Sequence, residues 1–261
     1  MNIVVLIKQV PAVSDIQIDS QNHNLVRVGA PTMLNPVDKN AIEAALFIKE
    51  TLGGTVTLVS MGTAMASEAL REGVSMGADG GVLLSDERMA GSDTLATGKI
   101  LALAIKKLAP VDLVLTGKQS ADGDTGQIPP AIAEHLGFNL ITYAESLTAE
   151  DSVVRATRKN HGGMETVEAA LPAVCSVMES INVPRSPSIR NKMKAKKAVF
   201  DVWRLEDIGL DPAESGSAGS ATDVTELFAP EKHAVGIMID GNTAEEAVLK
   251  LMADMKAKKL I

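Results

Sequence analysis

Glycines, hydroxyls, amides and carboxylates crowd into one short stretch, Thr116-Gly117-Lys118-Gln119-Ser120-Ala121-Asp122-Gly123-Asp124-Thr125-Gly126-Gln127. The apolar run Leu113-Val114-Leu115 precedes it and a helical pattern over residues 129–136 follows. A buried strand that opens through such a loop into a helix is where open α/β sheets bind nucleotides. Glycine lets a backbone approach a phosphate, and a helix start offers unpaired N–H groups and the positive end of its dipole. The stretch has neither the Gly-Lys-Ser/Thr of a Walker A loop nor the Gly triplet of a dinucleotide turn. Two readings therefore stand, a nucleotide cradle and an ordinary connection. As a cradle, its carboxylates would repel phosphate. Phosphate contact then falls to backbone N–H groups and Thr125, and the Asp side chains serve neighbouring N–H groups or a ribose hydroxyl. Gly123 is expected at a left-handed φ close to the ligand. Capping of the following helix is the alternative role for Asp124.

A second constellation is Gly91-Ser92-Asp93-Thr94-Leu95-Ala96-Thr97-Gly98. Thr94 and Thr97 lie three apart on the first turn of a helix, which puts both hydroxyls on one face beside unpaired N–H groups. That arrangement suits the pyrophosphate of a dinucleotide; the plainer reading makes Ser92 an N-cap and leaves both threonines solvated. Lys8 is the sole charge near the end of the first apolar run. It either neutralises a phosphate or marks a strand edge. The four histidines show no metal-ligand spacing, and the single cysteine, Cys175, excludes an internal disulfide and any multi-cysteine metal site. Its apolar surroundings read as those of a buried structural thiol.

These residues need a scaffold, and the hydrophobic pattern supplies one. Apolar runs at 3–7, 56–59, 82–84 and 113–115 read as strands, and helical patterns at 36–52, 64–76, 92–108 and 129–136 alternate with them. Asn35 suits an N-cap and Pro36 the first helical position. The rhythm predicts an α/β fold with a parallel sheet covered on both faces. Residues 16–18 and 25–27 suggest a small hairpin excursion. Beyond residue 138, runs at 153–156, 166–167 and 174–178 lack intervening helices and predict an antiparallel addition. A basic run at 185–197 is followed by an acidic, small-residue stretch at 206–223 with the composition of a flexible linker. An amphipathic helix at 243–259 closes the chain, with Ala247, Val248, Leu251, Met252 and Met255 on one side. The expected division is an α/β domain over 1–200 and a C-terminal arm over 201–261, which either docks on a partner or folds back on its own domain.

Composition sets outer bounds. The 261 residues are 46% apolar but only 2% aromatic, so aliphatic side chains and 12 methionines must fill the core. Few rings and a net charge of −8 argue against nucleic acid. The first apolar run is too short for a signal peptide and no run reaches membrane-span length, so a soluble, cytoplasmic protein without membrane insertion is expected.

Five motifs together resemble the β subunit of electron transfer flavoproteins. They are residues 1–10, Met33-Leu34-Asn35-Pro36, Gly117-Lys118-Gln119, Asp122-Gly123-Asp124-Thr125 and Met193-Lys194-Ala195-Lys196-Lys197. The middle region adds Arg158, Gly162-Gly163, Glu165, Val167 and Pro172-Ala173-Val174, with His161 and Cys175 as departures from the family's usual residues. The resemblance implies a Rossmann-like, adenine-nucleotide-hydrolase-like sheet and a heterodimer with an α subunit that carries an electron-transferring FAD. It implies a second nucleotide in the β subunit: AMP in the ordinary branch, FAD in the bifurcating branch. The latter FAD takes hydride from NADH and sends electrons to ferredoxin or flavodoxin and, through the α-subunit FAD, to a partner flavin dehydrogenase. The Asp93-Thr94-Leu95-Ala96-Thr97 segment and the Asp122–Thr125 loop are similar to the bifurcating forms.

By motif match, Leu6, Lys8, Asn35, Pro36, Val37, Asp38, Met61, Gly62, Asp93, Thr94, Thr97, Gly117, Lys118, Gln119, Ser120, Asp122, Gly123, Asp124, Thr125, Gly126 and Gln127 are the implied cofactor-binding residues. Residues 185–194 match a recognition loop that docks on the dehydrogenase through Ile189, flanked by Arg185, Arg190, Met193 and Lys194. No catalytic side chain and no metal is expected, because hydride and electron transfer is the flavin's chemistry. Two alternatives remain, an ordinary AMP-binding β subunit and a stand-alone nucleotide sensor of the universal-stress type.

Overall fold

Alternating apolar runs and helical patterns fold as expected into a parallel sheet with helices on both faces. The computed structural model describes residues 1–12, 31–225 and 236–261; the hairpin expected at 16–18 and 25–27 lies outside them. In chain order the elements are β1 (Asn2–Leu6), β2 (Gln9–Pro11), β3 (Thr32–Leu34), α1 (Pro36–Leu52), β4 (Thr55–Met61), α2 (Ser67–Met76) and β5 (Gly80–Leu84). Then come α3 (Thr94–Lys107), β6 (Leu113–Gly117), α4 (Ile128–Leu136), β7 (Asn139–Ala149), β8 (Val153–Asn160), β9 (Gly163–Ala170) and β10 (Ala173–Val177). The last are α5 (Ile189–Lys197), β11 (Asp201–Trp203), α6 (Gly216–Gly219) and α7 (Ala244–Ala257).

Nine strands form one sheet in the order β11-β5-β4-β1-β6-β10-β7-β8-β9, and β2 pairs antiparallel with β3 beside it. Successive side chains of a strand face opposite ways. Ile3 and Val5 therefore pack with Ile42, Leu46, Leu58 and Leu70 beneath α1 and α2. Val4 and Leu6 pack with Val59, Ile100, Ile105, Val114 and Ile132 beneath α3 and α4. Each fully buried aliphatic side chain contributes roughly 1.5–3 kcal/mol, so two such layers anchor the strand ends firmly enough to position a site.

The region beyond residue 138 departs from expectation. The antiparallel addition exists as the β7-β8-β9 meander. The run at 174–178 does not belong to it: β10 lies between β6 and β7 and is parallel to both. All five of its residues are buried, as a strand covered on both faces requires. Cys175 within it is fully buried, and burial pushes its thiol up to about 12, which fits the structural reading.

The stretch at 206–223 is not a flexible linker. Ser215 is buried and its hydroxyl donates to Arg88 O at 2.9 Å. Gly216 N donates to Ser92 Oγ at 2.9 Å, and Asp93 N donates to Ser220 Oγ at 2.8 Å. Upstream of it, β11 extends the sheet beside β5. The chain divides into two compact units, Met1–Glu226 and Leu227–Ile261. In the second, Thr243 caps α7 by accepting from Glu246 N at 3.2 Å, and Val248, Leu251 and Met252 are exposed along the helix. Among the described residues no helix is long and apolar enough to cross a membrane.

Candidate functional site

The chain leaves β1 for β4 and β5 on one side, then crosses to β6 on the other. The loops after β1 and β6 therefore open at the switch point of the sheet, where a parallel α/β fold leaves a crevice at the strands' carboxyl ends. Side chains knit these two loops together. Lys8 Nζ lies 2.7 Å from Asp122 Oδ1 and donates to Ser120 Oγ at 3.4 Å. Lys8 thus pairs with the loop itself. The ion pair holds Asp122 below its ordinary carboxylate range against the burial that opposes ionisation.

Asn35 departs from its expected role. It stands at the N-cap position of α1, but its side chain makes no cap bond. Instead Nδ2 donates to Gln119 O at 3.0 Å and to Asp38 Oδ1 at 2.9 Å, while Oδ1 accepts from Ala121 N at 3.1 Å. One carboxamide thus stitches the start of α1 to the loop after β6. Asp38 is buried and also accepts from Lys8 N at 2.8 Å, with the Gly117 N–H as a further donor. Burial raises its pKa to about 7, and these donors only partly offset that. Gly117 is held against α1 so closely that an added Cβ would sit 2.4 Å from Val37 Cγ1 and 2.5 Å from Asp38 Oδ1.

Within the loop, Asp124 N donates to Ser120 O at 2.9 Å, and Asp124 accepts a side-chain hydrogen bond from Gln119. Asp124 does not cap α4, whose N-cap position is Gln127. The left-handed residues are Asp124 (φ 51) and Gly126 (φ 63), not Gly123. The start of α4 also differs from expectation. Its first turn contains Pro129 and Pro130, which have no N–H to offer an anion. Amide donors near this helix must come from the loop that precedes it.

The helix α3 meets the end of this loop at the start of α4. Asp93, rather than Ser92, is its N-cap, accepting from Ala96 N at 3.0 Å. Asp93 Oδ2 accepts from Ala221 N at 2.8 Å and Thr222 N at 3.1 Å. These N–H donors, that of Ala96 foremost, hold Asp93 below its ordinary range. Its carboxylate is thus spent on the protein. Thr94 Oγ1 donates to Gln127 Oε1 at 2.7 Å, which ties the start of α3 to the start of α4. Gly98 permits that approach, since a Cβ there would lie 2.7 Å from Ala131 Cβ. Thr97 follows in the same first turn, half-buried.

The structure thus joins Lys8, Asn35, Asp38, Gly117, Gln119, Ser120, Asp122 and Asp124 through direct contacts, and Thr94 and Gln127 form a separate pair. Pro36 and Val37 open α1 at the same place, and Lys118 continues the edge by donating from its N–H to Val177 O at 2.9 Å. Leu6 is buried and can offer a ligand only its backbone. Met61 ends β4 and Gly62 follows it, its N–H donating to Leu84 O at 3.0 Å; no hydrogen bond among the described residues links them to the two loops. Thr125 is exposed and Gly123 lies near Ser120, where a Cβ would come within 3.1 Å of Oγ.

The docking residues form a separate group, and the expected loop is a helix from Ile189 onward. Ser188 caps it by accepting from Asn191 N at 3.1 Å. Ile189 is 84% exposed and Met193 56%, beside the basic Arg190. Arg185 is fixed to α1 by ion pairs with Glu43 and Glu50, which raise its already high pKa, and Lys194 Nζ donates to Ala78 O at 3.1 Å. Sequence reasoning missed Tyr143, which stands at the same sheet edge as the loops, because the strand β7 that carries it gives only a weak alternation.

Comparison with known proteins shows the family. Residues 23–208 match the family described as "Electron transfer flavoprotein domain". The chain is 40% identical to the electron transfer flavoprotein subunit beta of Megasphaera elsdenii over 270 residues, covering all of both. It is 41% identical to the Caffeyl-CoA reductase-Etf complex subunit CarD of Acetobacterium woodii, again over all of both. Protein FixA of Azotobacter vinelandii is 40% identical over 88% of this chain and 85% of that protein. The protein belongs to the electron transfer flavoprotein family, among its beta subunits.

Proposed function

We propose that this subunit holds FAD, rather than AMP, in the crevice between the loops after β1 and β6, and that it serves electron bifurcation in the cytoplasm. The observation that carries the reading is the Thr94–Gln127 hydrogen bond of 2.7 Å. It brings a second helix start, that of α3, to the rim of the loop, so that the crevice has two walls able to face a pyrophosphate. Its cap takes the N–H of Ala96; among the described residues none accepts from those of Thr94 and Leu95, at the positive end of the helix dipole. The residues present fit the group. Asp122 is neutralised by Lys8 and Asp38 is held by N–H donors, so the site is less hostile to phosphate than its carboxylates suggest. Gly126 at φ 63 keeps the loop backbone bare beside α4.

When bound, FAD supplies the chemistry, accepting hydride from NADH and passing electrons to ferredoxin or flavodoxin and, through the α-subunit FAD, to a dehydrogenase. The chain's own part is to bind, orient and shield. Lys8, Asn35 and Asp38 fix the loop, while Thr94 and Gln127 fix the helix starts. The unit Leu227–Ile261, with the exposed Val248, Leu251 and Met252 of α7, is assigned to docking on the α subunit. Family membership removes the stand-alone sensor, and kinship with a subunit of a caffeyl-CoA reductase complex favours a dehydrogenase partner.

The deciding experiment is a flavin count on the purified heterodimer. Two FAD per heterodimer are expected; one FAD with one AMP would return the protein to the ordinary branch. Thr94→Val combined with Thr97→Val is expected to weaken this subunit's FAD about tenfold, as loss of a hydrogen bond or two worth about 1 kcal/mol each implies. The α-subunit FAD should stay in place. Unchanged flavin stoichiometry in the double variant would count against the α3 wall.

Docking on the dehydrogenase is assigned to Ile189. An aliphatic side chain left 84% exposed in a basic surround is suited to fill a partner's pocket, and truncating such an anchor costs roughly 2 kcal/mol of binding. Ile189→Ala should therefore slow turnover with the dehydrogenase while sparing flavin reduction by NADH in stopped flow. Equal loss in both assays, or none in turnover, would sink the assignment.

A further inference from the structure

Tyr143 is the only tyrosine of the chain, and its backbone is left-handed, at φ 60. For a bulky residue that conformation is a true outlier, costing free energy that the surroundings must supply. Here they do so through an irregularity in the sheet. Cys175 of β10 pairs with Ile141, but Val177 pairs with Ala144, so β7 carries an extra residue at this level. Tyr143 N donates to the hydroxyl of the fully buried Ser176 at 3.0 Å, which locks the bulge in place. Bulges next to binding sites re-aim side chains. This one aims the phenol at the nucleotide loop: a Cβ built on Gly126 would lie 3.2 Å from Tyr143 Oη. The level is that of the site, because Val177 is in register with both Gly117 and Ala144. The side chain is nevertheless 44% exposed, and among the described residues no hydrogen bond satisfies its hydroxyl. A large aromatic residue held in a strained conformation, half open to solvent and touching the left-handed turn of a ligand loop, is poorly explained by packing alone.

We propose that Tyr143 is a positioning residue for the bound nucleotide, holding the Gly126 turn in its binding conformation and facing the bound group with its phenol. The inference rests on the reading of the crevice as a nucleotide site, though not on which nucleotide it holds. The strain gives it a signature that a structural role lacks. Glycine adopts φ 60 without penalty, so Tyr143→Gly relieves strain while removing the phenol.

The test uses the heterodimer with its α subunit, stripped of this subunit's nucleotide, and titrates FAD and AMP separately into wild type and variants. The wild-type titrations decide which nucleotide the site prefers; the variants are then compared for that nucleotide. Tyr143→Gly should weaken binding by about tenfold or more, while the thermal midpoint of the nucleotide-free heterodimer stays level or rises. Tyr143→Phe, which keeps the ring and removes the hydroxyl, should lose about threefold to tenfold, and unchanged affinity in it would overturn the phenol's part. Affinity within twofold of wild type in Tyr143→Gly would overturn the proposal, as would a loss of affinity accompanied by a lowered nucleotide-free midpoint, which is what a packing residue gives. A wild-type protein that binds neither nucleotide would instead overturn the site, a result distinguishable from either.

Discussion

Gly117→Ala is expected to abolish the proposed nucleotide binding and to cost roughly 1–3 kcal/mol of stability, the usual range for overpacking a filled site. One methyl group suffices because of what it meets. The added carbon would lie 2.4 Å from Val37 Cγ1, 2.5 Å from Asp38 Oδ1 and 3.2 Å from the Val37 backbone carbon. Contacts below 3 Å cannot persist, and these two are to the short, buried side chains of Val37 and Asp38, which have little room to turn away, with the α1 backbone close behind. Either α1 moves away from β6 or β6 loses its register with β1. Both routes break the Asn35 bonds to Gln119 O and Ala121 N that shape the loop. Gly123→Val should be milder, since the nearest obstacle there is the Ser120 hydroxyl at 3.1 Å and the position is not left-handed. Chemical denaturation and the nucleotide retained through purification measure the two effects. A Gly117→Ala protein with wild-type stability and a full complement of nucleotide would mean that the close approach of α1 and β6 is not what builds the crevice.

The pattern of the sequence carried most of the parallel core, because strand and helix periodicities are local. Asn35-Pro36 marks the start of α1 and Thr243 that of α7, and both helices begin where those residues place them. Partner choice is not local. The run Ala173-Val174-Cys175-Ser176-Val177 reads as a strand from its own residues, but its place between β6 and β7 depends on register with distant segments. The stretch at 206–223 has a linker's composition because serines and glycines suit flexible chains. Here the same small hydroxyl residues bond backbone groups of Arg88, Gly91 and Asp93, just ahead of α3, and composition cannot tell the two uses apart. In the site, residue types pointed to loops that the structure knits together, but not to the bonds that do so. Asp124 reads as a ligand or a cap and Asp93 as a ligand; in the structure Asp124 braces the loop turn, and Asp93 caps α3 and fastens the segment ending at Thr222. Tyr143 gave no signal, since a bulge is a property of a pair of strands and neither strand's sequence contains it.

Asp38 should leave a visible mark on the pH dependence of stability. Burial raises its pKa to about 7, against donors from Asn35, Lys8 N and Gly117 N that favour the charged form. The sign follows from proton counting. Between the unfolded value near 4 and the folded value of about 7, the native state binds the proton and the unfolded state does not. Stability from this group is therefore full below about pH 4 and is lost as pH rises through about 7, by an amount on the order of a few kcal/mol. Asp86, whose pKa is lowered chiefly by Arg88, and Glu50, lowered chiefly by Arg185, act in the opposite sense and gain stability above the acid range. Their contribution is common to wild type and to Asp38→Asn, so subtracting the two stability curves isolates Asp38. The carboxamide cannot ionise and also presents a donor to N–H groups, so the variant is less stable at pH 5, and the gap should narrow steadily toward pH 8. The same titration bears on function, because a carboxylate charging beneath the loop repels phosphate. Nucleotide affinity of the wild type should accordingly fall above pH 7, and that of Asp38→Asn should fall less. Urea midpoints from pH 4 to 8, with nucleotide titrations at both ends, provide the check. A constant gap between the curves would show that Asp38 is charged throughout and that its N–H donors outweigh its burial.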